Sequence, residues 1–536
     1  MMQVEKEDMS EAKKSTQAGV MKAASILIIA NFLSSILGVV REIIMSSVFG
    51  MNGTLDAYNA AFTIPDLIYT ILVGGGLSAA FIPVFSGYIA EKKYDDGYEM
   101  ASTILNIVAI VVAILCVIGE IFTPQLMGFV FPKLLTWEPE MAHLAFTLTR
   151  IMFFQCFFMC LTGICMGILQ SYKDFAPPSI GAVLYNITII GVGVLLLTLG
   201  TGIAGFSIGV VTGSIVNLMV QIFPIQRHGF KYRRVIDFDH EGVRKFFKLF
   251  VPVLFGIAVT QLNLVVNRTF ALSQGDGILS NIVYAQRIMQ LPINIFAYAI
   301  AMSIFPTMVE HFTKDNMDEY KKDLSLGIRN VTFIILPCAV GIISVRVPLV
   351  RAVYLQGNFE PENVPILATL LALYCIGMIG YSVRQVVLQG FYAVKETKTP
   401  VTINIFILCL NMLLTVTFVK FWGANGIAIA YSVAGLVSVA TQTYFLRRKV
   451  GPIRGSEIRD SILKCLVSCV VMFIVVTAAI IIFEHSISVE TKLSQFIELI
   501  AMIAIGGITY LMMALILKME ELTSILAIMK KKFLRR

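Results

Sequence analysis

The chain of 536 residues is 57% hydrophobic and only 14% charged, and its formal net charge is +8. Soluble domains carry about 25% charged residues, so this composition excludes an ordinary soluble domain and indicates a polytopic membrane protein. In so apolar a chain, we expect the positive balance to lie in cytoplasmic loops rather than on a nucleic-acid-binding surface.

Fourteen apolar runs are long enough to be membrane-spanning helices. We therefore predict an all-α membrane protein. The first 19 residues mix lysines with acids, which is not typical of a signal peptide, so we expect a cytoplasmic N-terminus. The runs lie at about 20–47, 56–90, 100–130, 140–171, 178–199, 203–225, 246–273, 279–311, 324–345, 362–393, 400–419, 424–446, 460–483 and 493–517.

The distribution of basic residues indicates the orientation of these spans. With the N-terminus inside, inner segments hold 30 of the 42 lysines and arginines, outer segments hold five, and seven remain within spans. Such an excess is typical of cytoplasmic loops. We predict a multi-pass protein of a bacterial cytoplasmic membrane with both termini in the cytoplasm.

An internal repeat divides the chain. Three pairs of segments match at nearly one separation, which indicates duplication of a six-span unit. We predict a first lobe over 1–226 (spans 1–6), a basic cytoplasmic linker over 227–248, a second lobe over 249–449 (spans 7–12), and two added spans with a basic tail over 450–536. The matching pairs are Gly202–Arg227 with Gly423–Arg448, Phe81–Pro83 with Ile304–Pro306, and Leu169–Gln170 with Leu388–Gln389.

Spans 2 and 8 are corresponding elements of this repeat, and both contain helix breakers. Span 2 carries Pro65, Gly74–Gly76 and Pro83, and span 8 carries Pro292 and Pro306. Breaks within a membrane are tolerated where the freed backbone groups line a cavity. Because two-lobe transporters bind substrate near the midplane between their lobes, we expect these spans to line such a site. Ordinary proline kinks are the alternative.

Three arginines within spans are candidates for substrate binding: Arg41, Arg287 and Arg384. An arginine at bilayer depth costs about 2.5–3.5 kcal/mol, so it normally faces a cavity or a partner. Guanidinium groups bind phosphate through two parallel hydrogen bonds, which favours a diphosphate substrate. Arg329, near a cytoplasmic helix end, is instead expected to extend to the membrane surface.

Two acids accompany these arginines. Asp56 and Asp66 could pair with them or exchange partners with the substrate. The alternatives are structural, namely a helix N-cap for Asp56 and a Pro-Asp turn for Asp66.

The sequence contains no motif that indicates an enzyme active site. Gly200–Gly205 spells GxGxxG, but it lies in a short turn between apolar helices rather than in a βαβ unit. There is no Walker A or HExxH motif, and the nine cysteines form no CxxC pair. We expect no enzyme activity and no cofactor, and the sequence defines no metal site. Transport would then be driven by an ion gradient or the membrane potential.

Five segments of the chain together suggest a family: SSILGVVREIIMSSVFG, LDAYNAAFTIPDL, GGGLSAAFIPVF, AQRIMQLP and GFYAVKETKTPV. They resemble the MurJ/MviN family of lipid II flippases, within the multidrug/oligosaccharidyl-lipid/polysaccharide exporter superfamily. The resemblance spans nearly the whole chain. It implies a fourteen-helix, two-lobe flippase that moves the undecaprenyl-diphosphate-linked peptidoglycan precursor from the inner to the outer leaflet by alternating access. We expect a monomer, with the prenyl tail in a groove beside spans 13 and 14.

The resemblance also implies roles for individual residues. Functionally important arginines of spans 1 and 8 in the family match Arg41 and Arg287, and the acid that opens span 2 matches Asp56. Small polar positions of the family match Ser34 and Ser280.

Three positions depart from the family pattern. Well-studied members carry arginines where this chain has Ser35 and Tyr69, and an asparagine where it has Asp66. The cavity is therefore expected to be less basic, which leaves room for a flippase of another lipid-linked oligosaccharide. A second alternative is a cation-coupled multidrug exporter, which would favour acids and aromatic residues in the cavity and need only twelve spans.

Overall fold

The computed structural model describes residues 30, 32–74, 76–137, 139–486 and 489–523. Within these ranges every regular element is helical, which confirms the predicted all-α class. The start of span 1, Gly75 of the glycine triplet and the basic tail from residue 524 lie outside the described residues.

The helices follow the predicted runs closely, with short connections between them. A 3₁₀ turn (Pro132–Thr136) follows α6, and a π-helical turn (Ile293–Ala297) joins α11 to α12. The helices are α1 (Phe32–Phe49), α2 (Gly53–Ala61), α3 (Thr63–Leu72), α4 (Gly76–Ala90), α5 (Tyr94–Ile121), α6 (Thr123–Val130), α7 (Pro139–Ser171), α8 (Ala176–Thr198), α9 (Ala204–Arg227), α10 (Glu241–Leu272), α11 (Ile278–Pro292), α12 (Tyr298–Thr313), α13 (Met317–Ser344), α14 (Arg346–Tyr354), α15 (Asn363–Ala393), α16 (Lys398–Trp422), α17 (Ala424–Val450), α18 (Gly455–Ser486) and α19 (Lys492–Ile516).

Twelve helices in the described ranges are long and apolar enough to cross a membrane, with α11 to α12 counted as one. They coincide with twelve of the fourteen predicted runs. The other two runs correspond to the segment α2–α4, which is divided into short helices, and to α10. A polytopic membrane protein is therefore confirmed, whereas the count of fourteen spans stays a prediction.

The predicted interruption of span 2 is present. Pro65 occupies the first turn of α3, where a backbone N–H would have no acceptor within the helix, so proline is tolerated there. The preceding helix, α2, ends at Ala61. A second break follows α3 at residues 73–74. In span 8 the π-helical turn begins directly after Pro292. By contrast, α4 and α12 continue through Pro83 and Pro306.

The chain forms two compact units. The first comprises the described residues up to Met45 together with Gly53–Val265, and the second comprises Ser46–Asn52 and the described residues from Val266 onward. The core of the first unit is built from side chains of α4, α5, α7, α9 and α10, including Phe81, Phe85, Ile104, Ile168 and Phe246.

The repeated sequence forms the same local structure twice. The first copy gives the pair α8 and α9, and the second gives the pair α16 and α17. Gly426 near the start of α17 packs so tightly that a Cβ atom would lie 2.4 Å from the Phe418 carbonyl. Its match, Gly205 near the start of α9, would place a Cβ 2.9 Å from the Leu196 Cβ. Glycine is therefore needed at both positions, because the helices approach closely there.

The basic segment that follows α9 is attached to α5 of the first unit. The Arg233 guanidinium donates to Asp95 at 2.5 Å and to Glu99 at 3.0 Å. The Asn106 amide donates to the Val235 carbonyl at 2.9 Å. This part of the predicted linker is thus fixed to the first unit, and the chain passes into the second unit within α10.

Candidate functional site

Arg41 belongs to a group of polar residues in the first unit. The Tyr58 hydroxyl is buried and experiences the charges of Arg41, Glu42 and Asp66. The Tyr185 hydroxyl also experiences the charges of Arg41 and Asp66. Charges carried by α1 and α3 therefore act on tyrosine hydroxyls of α2 and α8. We call Arg41, Tyr58, Asp66 and Tyr185 the first polar cluster.

Asp56 and Asp66 both lie in the first turn of a helix. Asp56 opens α2 and is fully buried, whereas Asp66 opens α3 and is half-buried. Each is the fourth residue of its helix, so Asp56 is not an N-cap and Asp66 does not lie in a turn. A carboxylate in a first turn is nevertheless stabilised by the helix dipole. The charge of Asp66 also acts on the Tyr69 hydroxyl.

Ser34 joins α1 to α8. Its hydroxyl donates to the Ala182 carbonyl at 3.3 Å and accepts from the Asn186 amide at 3.0 Å. These bonds give Ser34 a part in helix packing within the first unit.

Arg287 and Ser280 lie on α11 of the second unit. Ser280 is fully buried, and Arg287 is half-buried a little more than one turn before Pro292. The adjacent Gln286 donates to the Tyr374 hydroxyl on α15 at 3.1 Å. This bond fixes the helix segment that carries Arg287.

Arg384 lies on α15 at the centre of a second group of polar residues. Its Nη1 donates to the side-chain oxygen Oδ1 of Asn404 on α16 at 3.3 Å, and its Cζ lies 5.2 Å from the centre of the Tyr381 ring. Gln442 on α17 donates to the same Asn404 oxygen at 2.9 Å. The Tyr381 ring packs against Tyr431, with ring centres 4.4 Å apart. We call these five residues the second polar cluster.

The second polar cluster is neutral apart from Arg384. The Arg384 Nε is buried without a hydrogen-bond partner, and no carboxylate of the described residues lies within ion-pair distance of the guanidinium. Its charge acts on the hydroxyls of Tyr381, Tyr392 and Tyr431.

An apolar groove lies between α13, α18 and α19 in the second unit. The cavity has a volume of about 490 Å³. The Tyr510 hydroxyl, the main polar group of its wall, donates to the Phe333 carbonyl at 2.8 Å and so presents no free polar atom. The other lining residues include Ile334, Pro337, Cys338, Gly341, Leu349, Met472, Val476, Met502, Gly506 and Leu511.

Arg329 holds one end of the helix pair α18 and α19. Its Nε and Nη2 lie 2.6 Å from carboxylate oxygens of Glu521 and Glu520, and its Nη1 lies 3.5 Å from Glu457. The expectation that Arg329 extends to the membrane surface is wrong, because it is only 8% exposed and its charge is neutralised locally. The hydrogen bond from Arg329 also lowers the pKa of Glu520.

Arg351 on α14 holds the other end of the same helix pair. Its Nη1 lies 3.0 Å from Glu484 near the end of α18 and 3.8 Å from the buried Glu498 in α19. Lys492 donates to the Arg351 carbonyl at 3.1 Å. The groove is therefore bounded by an arginine clasp at each end of the helix pair.

Sequence reasoning missed Tyr381, Asn404 and Gln442. One available signal was the repeat, in which Gln442 matches Gln221 inside a long apolar run. Both glutamines are buried, but Gln221 donates to Asn217 one turn away in its own helix at 3.1 Å. Among the described residues, no three His, Cys, Asp or Glu side chains form a group suited to a metal ion.

Known proteins resemble the chain over nearly its whole length. A protein named probable lipid II flippase MurJ from Buchnera aphidicola subsp. Acyrthosiphon pisum is 28% identical over 493 residues, which is 90% of this chain and 95% of that protein. The lipid II flippase MurJ of Burkholderia cenocepacia is 28% identical over 434 residues, covering 79% of this chain and 84% of its own length.

Solved structures agree in fold. A lipid II flippase MurJ in an inward closed conformation superposes with a TM-score of 0.77 at 26% identity, covering 91% of this chain and 98% of that one. An inward-facing multidrug transporter of the MATE family superposes with a TM-score of 0.63 at 16% identity, covering 80% of this chain and 96% of that one, and shares the fold alone. The family described as lipid II flippase MurJ matches residues 45–515. The chain therefore belongs to the MurJ family of lipid II flippases.

Proposed function

We propose that this chain moves lipid II from the inner to the outer leaflet of a bacterial cytoplasmic membrane for peptidoglycan synthesis. The observation that carries the proposal is the family match over residues 45–515, which includes Arg287 and both clasped helices α18 and α19. The multidrug alternative has weaker support, because the similarity to such exporters is confined to the fold.

The proposed topology has fourteen spans. The segment α2–α4 and helix α10 add two crossings to the twelve long apolar helices. Both termini are then cytoplasmic, as the excess of basic residues in the inner segments favours.

The head group would be bound mainly by Arg41 and Arg287. Each guanidinium can form two charge-assisted hydrogen bonds with the diphosphate. In this proposal Asp66 exchanges with the substrate as a partner of Arg41, since both charges act on the Tyr185 hydroxyl. Asp56, Ser34 and Ser280 position the helices that carry the arginines, since Asp56 and Ser280 are fully buried and Ser34 joins α1 to α8. Arg384 completes the predicted substrate-binding residues.

The prenyl tail would lie in the apolar groove between α13, α18 and α19. Each methylene group removed from water contributes about 0.8 kcal/mol, so a long tail is held by apolar surface alone. The groove fits this role because its lining is almost entirely apolar.

Alternating access would be driven by an ion gradient or by the membrane potential. The sequence contains no nucleotide-binding motif in a suitable context. The membrane potential supplies about 2.3 kcal/mol per charge per 100 mV. The coupling ion is a matter for transport measurements under imposed gradients.

The test is growth of cells depleted of their own flippase, combined with a leaflet-accessibility assay for lipid II. We expect the wild-type chain to restore growth and expose lipid II on the outer leaflet. Arg41→Ala and Arg287→Ala should fail in both assays while reaching the membrane in normal amounts. Arg448→Ala, a change at an exposed arginine of α17, is the matched control and should restore growth.

Three results would count against the proposal. Full rescue of growth by both arginine variants would show that Arg41 and Arg287 are not needed for transport. Growth without lipid II exposure would favour another lipid-linked oligosaccharide. Increased drug sensitivity without accumulation of lipid II in depleted cells would favour the multidrug exporter.

A further inference from the structure

Arg384 lies deep within α15. Nine residues separate it from the end of the helix at Ala393, or about 13 Å at 1.5 Å per residue. Charged residues at such positions are rare, and they normally face a partner or a functional cavity. The charge of Arg384 therefore calls for a counter-charge.

The second unit supplies no such counter-charge among its described residues. The partners of Arg384 are the Asn404 amide and the Tyr381 ring, both neutral. A tyrosine ring and an amide orient a guanidinium group but do not neutralise it.

One edge of the guanidinium is held, and the other has no hydrogen-bond partner among the described residues. Nη1 donates to Asn404, and Gln442 fixes the same Asn404 oxygen from a third helix. Stacking on Tyr381 sets the plane of the group. Nε is buried without a partner, and no hydrogen bond joins Nη2 to a described residue. The Nε–Nη2 edge therefore lies in a fixed orientation with two donors unused.

Two parallel donors on one edge match the two oxygens of a carboxylate. A diphosphate carries more charge and calls for several cations. Arg384 is the only charged group among the described residues that acts on the Tyr381 hydroxyl. A single guanidinium with an aromatic and amide support is therefore better matched to a singly charged group.

We propose that Arg384 binds a carboxylate of the peptide part of the transported head group. Asn404 and Gln442 are positioning residues that hold the guanidinium for this contact. The inference rests on the proposed function, and it separates a peptide-binding role for Arg384 from the diphosphate-binding role of Arg41 and Arg287. It implies that the chain distinguishes a free peptide carboxylate from an amidated one.

The experiment measures binding of two lipid II probes to the full-length chain in lipid nanodiscs. One probe has free peptide carboxylates and the other has the same groups amidated. We expect the wild-type chain to bind the free form about tenfold more tightly, the value of one strong charge-assisted contact. Arg384→Gln should reduce this ratio to about one without changing the affinity for the amidated probe.

Further variants separate charge from geometry. Arg384→Lys keeps the charge but loses the two-donor edge, so it should retain only part of the ratio. Asn404→Leu should lower the ratio while Arg384 remains. Arg448→Gln, at the exposed arginine, should behave as wild type. Unchanged binding of the amidated probe shows that each variant is folded.

The outcomes distinguish the two proposals. If the wild-type chain binds both probes equally, or if Arg384→Gln keeps the wild-type ratio, the carboxylate subsite is overturned while lipid II binding stands. If neither probe binds the wild-type chain, the proposed function itself fails and the subsite falls with it.

Discussion

Arg329 and Arg384 are two arginines within long apolar helices of the same unit, and their surroundings are opposite. Arg329 contacts carboxylates of Glu457, Glu520 and Glu521. Arg384 contacts an amide and a tyrosine ring and has a buried nitrogen without a partner. The difference teaches that a position within an apolar helix does not by itself mark a binding residue. In the second unit, Arg384 is set apart by the absence of a counter-charge among the described residues around it.

The two arginines should therefore respond to mutation in opposite ways. Arg329 ties α13 to the ends of α18 and α19, so its loss should affect the folded structure. Arg384 keeps an unneutralised charge, which is a cost to stability that binding can recover. The variants below test this division from the largest expected effect to the smallest.

The largest effect is expected for Arg329→Met. The change leaves Glu521, only 2% exposed, as a buried carboxylate without its cation. Breaking a buried ion pair from one side costs about 3–5 kcal/mol. Denaturant or thermal unfolding of the purified chain in detergent measures the loss, and cross-linking of α13 to α18 reports detachment of the helix pair.

A matched pair of controls isolates the buried charge. Glu520→Gln changes an acid that is 77% exposed, so it should cost far less than Arg329→Met. The double variant Arg329→Met with Glu521→Gln removes the unpaired carboxylate and should recover part of the loss. A double variant no more stable than Arg329→Met would contradict this account of the clasp.

The second effect concerns the other clasp. Arg351→Gln removes the cation nearest to Glu498, which is fully buried in α19. We expect a loss of about 1–3 kcal/mol, less than for a close buried pair, since the buried carboxylate loses a cation that lies 3.8 Å away without a hydrogen bond to it. Unfolding measurements on Arg351→Gln and on the control Glu484→Gln show which of the two carboxylates accounts for the loss. Glu484 is 39% exposed, so losing its ion pair with Arg351 should cost less. Equal losses in the two variants would place the effect at Glu484 instead.

Much of this architecture is predictable from sequence. Apolar runs give the positions of the long helices, because burying backbone polar groups in lipid requires helices of that length. Interruptions of helices are marked by Pro65, the glycine triplet and Pro292. Proline lacks the backbone N–H that a helix needs, and glycine has a flexible backbone. The repeat gives the equivalent helix pairs through Gly205 and Gly426.

It is much harder to predict which side chains contact one another. Arg329 meets Glu521 across 192 residues of chain, and Arg384 meets Asn404 across a turn between two spans. Local patterns contain no information on which acid reaches which arginine, since these contacts depend on packing of helices distant in sequence. For that reason Arg329 was expected at the surface, and the second polar cluster was recognised only through Arg384.

The third effect is the stability of Arg384→Met, which we expect to change by less than about 1 kcal/mol in either direction. Removing the charge relieves its desolvation, and the Gln442 bond to Asn404 remains. Unfolding measured beside Arg329→Met gives the direct contrast between the two arginines. A loss as large as that of Arg329→Met would show that Arg384 is structural and would end the division proposed here.

The smallest effect is expected at an ion pair on the same helices but outside the membrane spans. Glu396, after α15, accepts from Lys449 near the end of α17 and from the Thr399 N–H. The Lys449 hydrogen bond, followed by that of Thr399, lowers the pKa of Glu396 from 4.5 to about 2. A lowered pKa stabilises the folded chain above pH 4.5, and this contribution disappears as the pH falls through about 2.

Glu396→Gln should therefore lower the unfolding temperature slightly at neutral pH, and its difference from wild type should shrink between about pH 4.5 and pH 2. Glu360→Gln, at an exposed glutamate before α15, controls for general effects of charge. A difference that stays constant over this range would mean that the Glu396 carboxylate is not held by Lys449. If it shrinks as expected, the second unit contains three arrangements of charge: a buried neutralised cluster, a partly exposed pair of small effect, and the guanidinium of Arg384 without a counter-charge among the described residues.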